Sequence, residues 1–590
     1  MKRYATLFLT FAWMLCIQQA YSQHKFTINL NDIADDQFKV TLEPDGLSAE
    51  NDIFQFAATA PGTYQIMDVG RFVRSFTAFD KGGNTLETEQ ISTNQWKLSD
   101  PVSTAKITYS IAETWDTPVP EHIIHFMAGT SLENDHTLIN NQAVLGYFHG
   151  LQSHEIWIKL EYPDQWKHGS AMTMNDEGYF TAPDYDFAVD SPILLGRLST
   201  ASIDVEGTKI EVYTYSKTDM IQSDSILKDL EDILFAASKF TEGLPVDRYV
   251  FLFHFEDLDY GAWEHSYSSE YVFKEAPMDE QRTQTLRSVV AHEFFHVVTP
   301  LNIHSELVEE FNFEKPVFSQ HLWLYEGVTE WSAWMMQLRN GILSLDDYLK
   351  ECTKKMMIND TYDSTVSLTY LGENAAELQT QYSNIYMKGA MTATMLDLLL
   401  LSESKGKRGL REVMIELTEK YGPSTPFPED QFFDIFVDMT YPEVEGFIND
   451  CIKGTKRLPV KEYFANVGID YQEFAGYDST NVSIGIGLTV NSQQKIVITQ
   501  VNDQESPIMA GDVIDKMNGV EISLANAQQE INKIHSMKPG DEIAFTMIRN
   551  GDEVELKAPL KAHRITHQFR IEEDVKKKKM KLRKKWMTNL

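Results

Sequence analysis

The sequence predicts a multidomain α+β protein: an all-β N-terminal domain, an α-rich middle and a small C-terminal β-domain. Three observations predict it. The 590 residues are too many for one hydrophobic core. Hydrophobic periodicity changes from two to a helical spacing near Lys209, and short β-type runs return near Tyr471. The apolar fraction of 43% and charged fraction of 24% are those of folded globular protein.

Period-two runs open the chain at Lys25 to Leu30, Phe38 to Leu42 and Ala105 to Tyr109, separated by turn chemistry such as Pro44-Asp45-Gly46. The α-rich part contains a β segment at Val250 to His254, then helical stretches at Thr283 to Val298, Gln320 to Arg339 and Asn384 to Ser402. Beyond it come short β runs at Ser483 to Val490, Lys495 to Val501, Glu542 to Ile548 and Glu553 to Leu560, interrupted by a helix at about Ser523 to His535. The expected organisation is a signal peptide at 1–22, an N-terminal β-domain at 23–203, an α-rich domain at 204–460, a β-domain at 471–562 and a basic tail at 563–590.

The signal-peptide reading rests on the positive start at Lys2 and Arg3 and the short apolar run from Leu7 to Ile17. Ala20-Tyr21-Ser22 follows with small residues at the cleavage positions, which makes Gln23 the mature N-terminus. Export to a periplasm or to the outside is therefore expected. Bulky Leu15 before Cys16 argues against a lipidation site, and no later run is long and apolar enough to span a bilayer. After cleavage Cys352 and Cys451 remain, enough for one disulfide but not for a disulfide scaffold. A formal net charge of −35 argues against nucleic acid as a partner. The acidity is uneven, because eight of the ten residues from Lys576 to Lys585 are Lys or Arg.

The chemistry is carried first by His292-Glu293-Phe294-Phe295-His296. On a helix, positions i and i+4 share a face, so both imidazoles can meet one zinc ion while Glu293 lies beside it as general base. Catalytic zinc takes three protein ligands and keeps one position open. The next helix offers Glu326 and Glu330, one turn apart among Trp323, Trp331 and Trp334. Glu326 is the expected ligand and Glu330 the carboxylate that orients a histidine; the reverse assignment competes with it. Gly327 would let another helix approach closely.

These residues resemble the gluzincin metallopeptidases. More narrowly, the chain resembles the glycyl-aminopeptidase family, which joins an N-terminal β-domain, a thermolysin-like catalytic domain and a C-terminal PDZ domain. Pro61-Gly62-Thr63-Tyr64 with Arg71-Phe72-Val73 is similar to a stretch of that family. Ile486-Gly487-Leu488 resembles the PDZ carboxylate-binding loop, and Ala510-Gly511-Asp512-Val513-Ile514 with Asn518-Gly519 the PDZ core, shortened between Pro507 and Gly511. Gly261-Ala262-Trp263-Glu264-His265 is similar to the family's Gly-Gly-Leu-Glu-His strand. The related aminopeptidase N family keeps a Glu there that holds the substrate's free amino group. The resemblance thus implies substrate binding at Gly261 and Glu264. Tyr386-Met387-Lys388-Gly389 resembles the Tyr-x-Lys-Gly segment of both families, which implies that Tyr386 stabilises the oxyanion.

The resemblance departs after His296, where Val297-Val298-Thr299-Pro300 stands in place of the usual Trp-Asn. His304 and His321 have no motif role and are expected on the surface or behind the ligands. The implied protein is a zinc-dependent aminopeptidase with one zinc per chain. It would favour small N-terminal residues such as Gly or Ala and could hold a C-terminal peptide at the PDZ-like domain. Two alternatives are an endopeptidase with an open cleft and an inactive, PDZ-centred peptide-binding protein.

Overall fold

The computed structural model describes residues 22–119, 121–257, 261–309, 311–422, 424–491, 495–501, 506–534 and 536–590. Most of the expected signal peptide, residues 1–21, lies outside them. The first strand, β1 (Gln23–Asn29), buries alternate residues, so Phe26 and Ile28 point inward while their neighbours stay partly exposed. It pairs in parallel with Glu155–Glu161 and antiparallel with Gln37–Glu43. Among the described residues, the N-terminal domain builds one eight-stranded and two four-stranded sheets around an aromatic core that includes Phe54, Phe56 and Trp96. The strand β2 (His136–Ile139) lies on the side of this domain that meets the next one.

The domain boundary expected at residue 203 falls inside a strand. β3 (Ser199–Val205) forms a hairpin with β4 (Thr208–Ser216), and both belong to the five-stranded sheet of the second domain. The hairpin turns at Glu206-Gly207, both with positive φ, so the chain only reverses there and does not pass between domains. After the helix α1 (Ser223–Thr241), the sheet is completed by β5 (Arg248–Glu256), β6 (Gly261–Glu264) and β7 (Ser268–Lys274). Its order is β3-β4-β5-β7-β6, which leaves β6 at the edge.

The helices then stack on this sheet. α2 (Glu280–Phe295) starts at Asp279, whose carboxylate accepts from the Arg282 amide at 2.8 Å. The stretch expected as one helix from Gln320 is in fact a π-helical segment at Trp323–Val328 followed by α3 (Thr329–Arg339). It packs on α4 (Asn384–Glu403) backbone to backbone. A Cβ built on Gly327 would lie 2.6 Å from Gly389 Cα, and one built on Gly389 would lie 2.8 Å from Gly327 Cα. Two glycines, one from each motif, thus bring Glu326 and Tyr386 to the same place.

The C-terminal part differs from expectation in two ways. Ser483 to Val490 is not one strand: β8 (Ile469–Ser483) ends before β9 (Ile486–Val490) begins. The PDZ sheet has the order β9, Ile496–Val501, Val513–Met517, Glu542–Arg549, Asp552–Pro559, with a helix α5 (Ala527–Ile534). No helix occupies described residues 506–512, in keeping with the shortened signature.

The basic tail is also not free. β10 (Lys561–Ile571) pairs with β8 as a two-stranded ribbon, and α6 (Lys577–Thr588) returns to the catalytic domain. Trp586 is fully buried there against Tyr348 and Phe464, and its carbonyl accepts from Arg339 Nε at 3.0 Å. Arg339 also pairs at 2.7 Å with Asp397, both fully buried, so the docked helix helps satisfy a guanidinium that could not be left alone in the core. One apolar face is enough to dock an otherwise basic helix. Cys352 and Cys451 are buried free thiols, and no helix of the described residues is long and apolar enough to cross a membrane.

Candidate active site and metal centre

The last turn of α2 carries His292 and His296 on one face, and the π-helical segment brings Glu326 opposite them. His292 Nε2 lies 3.2 Å from His296 Nε2 and 3.3 Å from Glu326 Oε2, and His296 Nε2 lies 3.4 Å from the same oxygen. The other ring nitrogens are occupied. His292 Nδ1 donates to Glu330 Oε2 at 2.9 Å, and His296 Nδ1 donates to the Thr299 carbonyl at 2.9 Å. With both Nδ1 atoms carrying the proton, three lone-pair acceptors face one another at 3.2–3.4 Å. Such a cluster is repulsive unless a cation lies among them, and two imidazoles with one carboxylate are a zinc donor set. The residues present therefore fit zinc, with His292, His296 and Glu326 as the atoms that would hold it.

The electrostatics agree. Burial opposes the charged form of His292, but hydrogen bonds to Glu326 and Glu330 outweigh it and raise its pKa well above the usual value. His296 is raised to about 9, burial being overcome by Glu264 and Glu326. Glu326 is held down at about 2 by the same histidines, against the effect of burial. The pocket calls for positive charge at the Nε2 atoms. Glu330 lies behind His292, fixed also by the Trp334 indole at 3.0 Å and by Lys355. Its pKa is lowered by Lys355 and His292 against burial.

Glu293 lies beside the trio and not in it. Burial pushes its carboxyl up to about 7, with His292 and His296 pulling the other way. Glu264 ends the edge strand β6, with a carboxylate oxygen in a group with Glu293 and His296 whose ligand atoms all lie within 4.8 Å of one another. Burial raises its pKa too, against the pull of His296. Ala262, Trp263 and Glu264 line a cleft of about 930 Å³ that also takes in His292, Glu293, Glu326 and Tyr386. Gly261 precedes these three residues on β6, and a Cβ there would lie 2.8 Å from the sulfur of Met127, which also lines the cleft.

Tyr386 completes the wall. Its ring lies 5.5 Å from that of His292, its hydroxyl 3.5 Å from that of Tyr382. Burial, then Glu326 and Tyr382, raise the phenol well above its usual pKa, so it stays a donor. Lys388 points elsewhere, with Nζ 3.4 Å from the Val366 carbonyl. His304 and His321 are buried, not on the surface. His304 bonds the Pro300 carbonyl and Glu309, and His321 bonds the Glu429 carbonyl among Phe427, Phe432 and Phe433.

The sequence reading missed three groups. Tyr382 is one turn before Tyr386, a spacing that could have flagged it. Lys355 fixes Glu330 from a helix with no motif. Tyr64 reaches the cleft from the N-terminal domain, its ring 6.0 Å from that of Tyr382. It follows Gly62, where a Cβ would lie 2.9 Å from Glu264 Oε1.

A two-histidine, one-glutamate cluster with an adjacent carboxylate, at the end of a helix packed on a sheet, defines a zinc metallopeptidase. The sequence matches the family profiles of the peptidase M61 N-terminal domain over residues 25–197, M61 glycyl aminopeptidase over 285–391 and a PDZ domain over 482–560. The N-terminal and catalytic parts of the chain are thus similar to those of the M61 glycyl aminopeptidase family, and the chain is a metallopeptidase. Its fold is similar to that of an aminopeptidase N family protein from Idiomarina loihiensis, with a TM-score of 0.79 at 21% identity, covering 96% of this chain and 100% of that one. An M1 zinc metallopeptidase from Deinococcus radiodurans matches at a TM-score of 0.47 and 10% identity, over 74% of this chain and 95% of that one. Comparison with curated proteins gave no match.

Proposed function

We propose that the protein is an exported aminopeptidase that removes single residues from peptide N-termini, favouring small ones such as Gly or Ala. The observation that carries the exopeptidase reading is Glu264: a buried-side carboxylate on an edge strand, next to Glu293 and His296, with Gly62 pressed against it from the N-terminal domain. A carboxylate there can pair with the substrate's ammonium, and the Gly62 loop abuts it from the N-terminal domain, with a Cβ on Gly62 reaching 2.9 Å from Glu264 Oε1. Tyr64, Met127 and Tyr382 line the same cleft as Glu264, and these bulky side chains support the preference for small first residues.

The chemistry that zinc supplies at His292, His296 and Glu326 is Lewis acidity toward water and the scissile carbonyl. The chain's own groups do the rest. Glu293 takes a proton from the attacking water and passes it to the leaving amine. Tyr386 donates a hydrogen bond from its hydroxyl to the oxygen on which charge develops. Glu330 keeps the His292 Nδ1 proton in place, so that Nε2 presents its lone pair.

Glu264→Gln is expected to lower kcat/KM on Gly- or Ala-initiated peptides by roughly ten- to hundredfold, the cost of one charge-assisted contact. The parent should reject N-acetylated peptides, and the variant should lose most of its preference for the free amine. Efficient cleavage of acetylated peptides at internal bonds by the parent would instead favour an endopeptidase.

Export rests on the N-terminal sequence alone. The secreted or periplasmic protein should begin at Gln23 on Edman sequencing, and a mature chain that retains Met1 would remove the signal-peptide reading.

At the PDZ domain, β9 is an edge strand with Leu488 and Val490 exposed, so a peptide strand can add along it with its carboxylate near Gly485 to Gly487. Because β8 and β10 anchor this domain as a pair, the full chain is the right reagent, with Glu293→Gln to prevent digestion. Peptides with a free C-terminus should bind at least tenfold more tightly than amidated ones. Equal binding would leave the domain a structural module.

A further inference from the structure

We propose that His136, His254 and Glu256 form a second metal site, which clamps the N-terminal domain to the catalytic sheet and takes a divalent transition metal such as zinc. His136 begins β2 in the N-terminal domain, whereas His254 and Glu256 stand two residues apart on β5 and so share one face of that strand. Their ligand atoms all lie within 4.8 Å of one another. The face is the one opposite the HExxH helix. β5 sends Val250 and Leu252 into the interdomain core with Leu138, while Phe251 and Phe253 go to the catalytic core.

The side chains lack partners that protein alone would be expected to supply. His254 is 1% exposed, yet neither ring nitrogen has a hydrogen-bond partner. His136 is 2% exposed and its Nε2 is likewise unpartnered. An unpaired buried polar atom forfeits its hydration with no return, and native structures rarely hold several together. A metal bond satisfies one nitrogen of each ring.

The surroundings already prepare the rings as ligands. His136 Nδ1 donates to Asp135 Oδ1 at 3.0 Å, and Asp135 is held by Arg197 at 2.7 Å, which leaves the lone pair of His136 on Nε2. Burial lowers the pKa of both histidines and so favours the neutral, ligating form. Tyr215 stacks on both rings, at 3.8 Å and 4.9 Å between centroids, and fixes their planes. Glu256, paired on its outer side with Lys217, brings the negative charge. Two imidazoles and a carboxylate select a borderline metal over calcium or magnesium. Zinc would draw the three atoms to about 3.3 Å apart, the spacing that bonds of about 2 Å impose, with side-chain movement of roughly an ångström.

The test is metal counting on the full-length protein. A His292→Gln/His296→Gln double variant, equilibrated with zinc and dialysed against metal-free buffer, should retain about one zinc per chain, and the parent about two. Adding His254→Phe, which keeps a ring in the space, should remove the zinc from the double variant. If that protein does not fold, Glu256→Gln serves instead, and should release zinc at a chelator concentration at least tenfold lower. Chelation of the double variant should also lower its Tm. A zinc-free double variant overturns the proposal, and so does zinc retained unchanged when His254 or Glu256 is replaced.

Discussion

Glu293→Gln is expected to keep its zinc and to lose about a hundredfold or more of kcat/KM, the size of effect that removal of a general base produces. Glutamine preserves the shape and the neighbouring packing but cannot accept a proton from water. The structure places Glu293 beside the converging atoms of His292, His296 and Glu326 and not among them. Its carboxyl is raised to about 7 by burial, against the pull of the two histidines. A group in that position can take a proton from water and still release it to a departing amine. The measurement is zinc content by mass spectrometry alongside kcat/KM on an Ala-initiated peptide. A metal-loaded variant with near-normal rate would remove Glu293 from the chemistry. Loss of zinc together with activity would instead point to the alternative grouping of Glu264, Glu293 and His296.

How far this site was legible in the sequence depends on whether the deciding contact is local. His292 and His296 are one helical turn apart, so their convergence follows from 3.6 residues per turn. Gly327 read as a point of close approach, and it is one, but its partner Gly389 lies sixty-two positions away and sequence spacing could not name it. Tyr64 and Gly62 are harder still, because they reach Glu264 from another domain. The same distinction explains the errors at the ends of domains. The residues of β3 lie at the end of a stretch that reads as mainly strands and turns, but local pattern cannot say which sheet a strand there joins, since a strand's partners are set by tertiary pairing. Trp586 directly follows the basic run, yet the pocket of Tyr348 and Phe464 that takes it is built from helices more than a hundred residues away.

The choice between Glu326 and Glu330 shows the limit most clearly, and leads to the second large effect. From sequence the two carboxylates differ only by one turn of helix. In the structure they address different nitrogens of one ring: Glu326 faces Nε2 of His292 and of His296, and Glu330 accepts from Nδ1 of His292. The second contact sets the tautomer, and the first provides a bond. Glu330 is moreover already engaged by Lys355 and Trp334, which leaves it little freedom to swing toward the metal. Glu330→Gln should therefore weaken zinc binding by about 10–100-fold, as expected when a ligand's orienting partner is lost. Glu326→Gln should weaken it by more than that, because an open three-ligand site is reduced to two. Both variants are titrated with a competing chelator, the zinc released is followed, and activity is read after zinc is restored. Glu330→Gln should regain much of its rate at excess zinc, and Glu326→Gln should not. Greater zinc loss from Glu330→Gln than from Glu326→Gln would reverse the assignment, with Glu330 as the ligand.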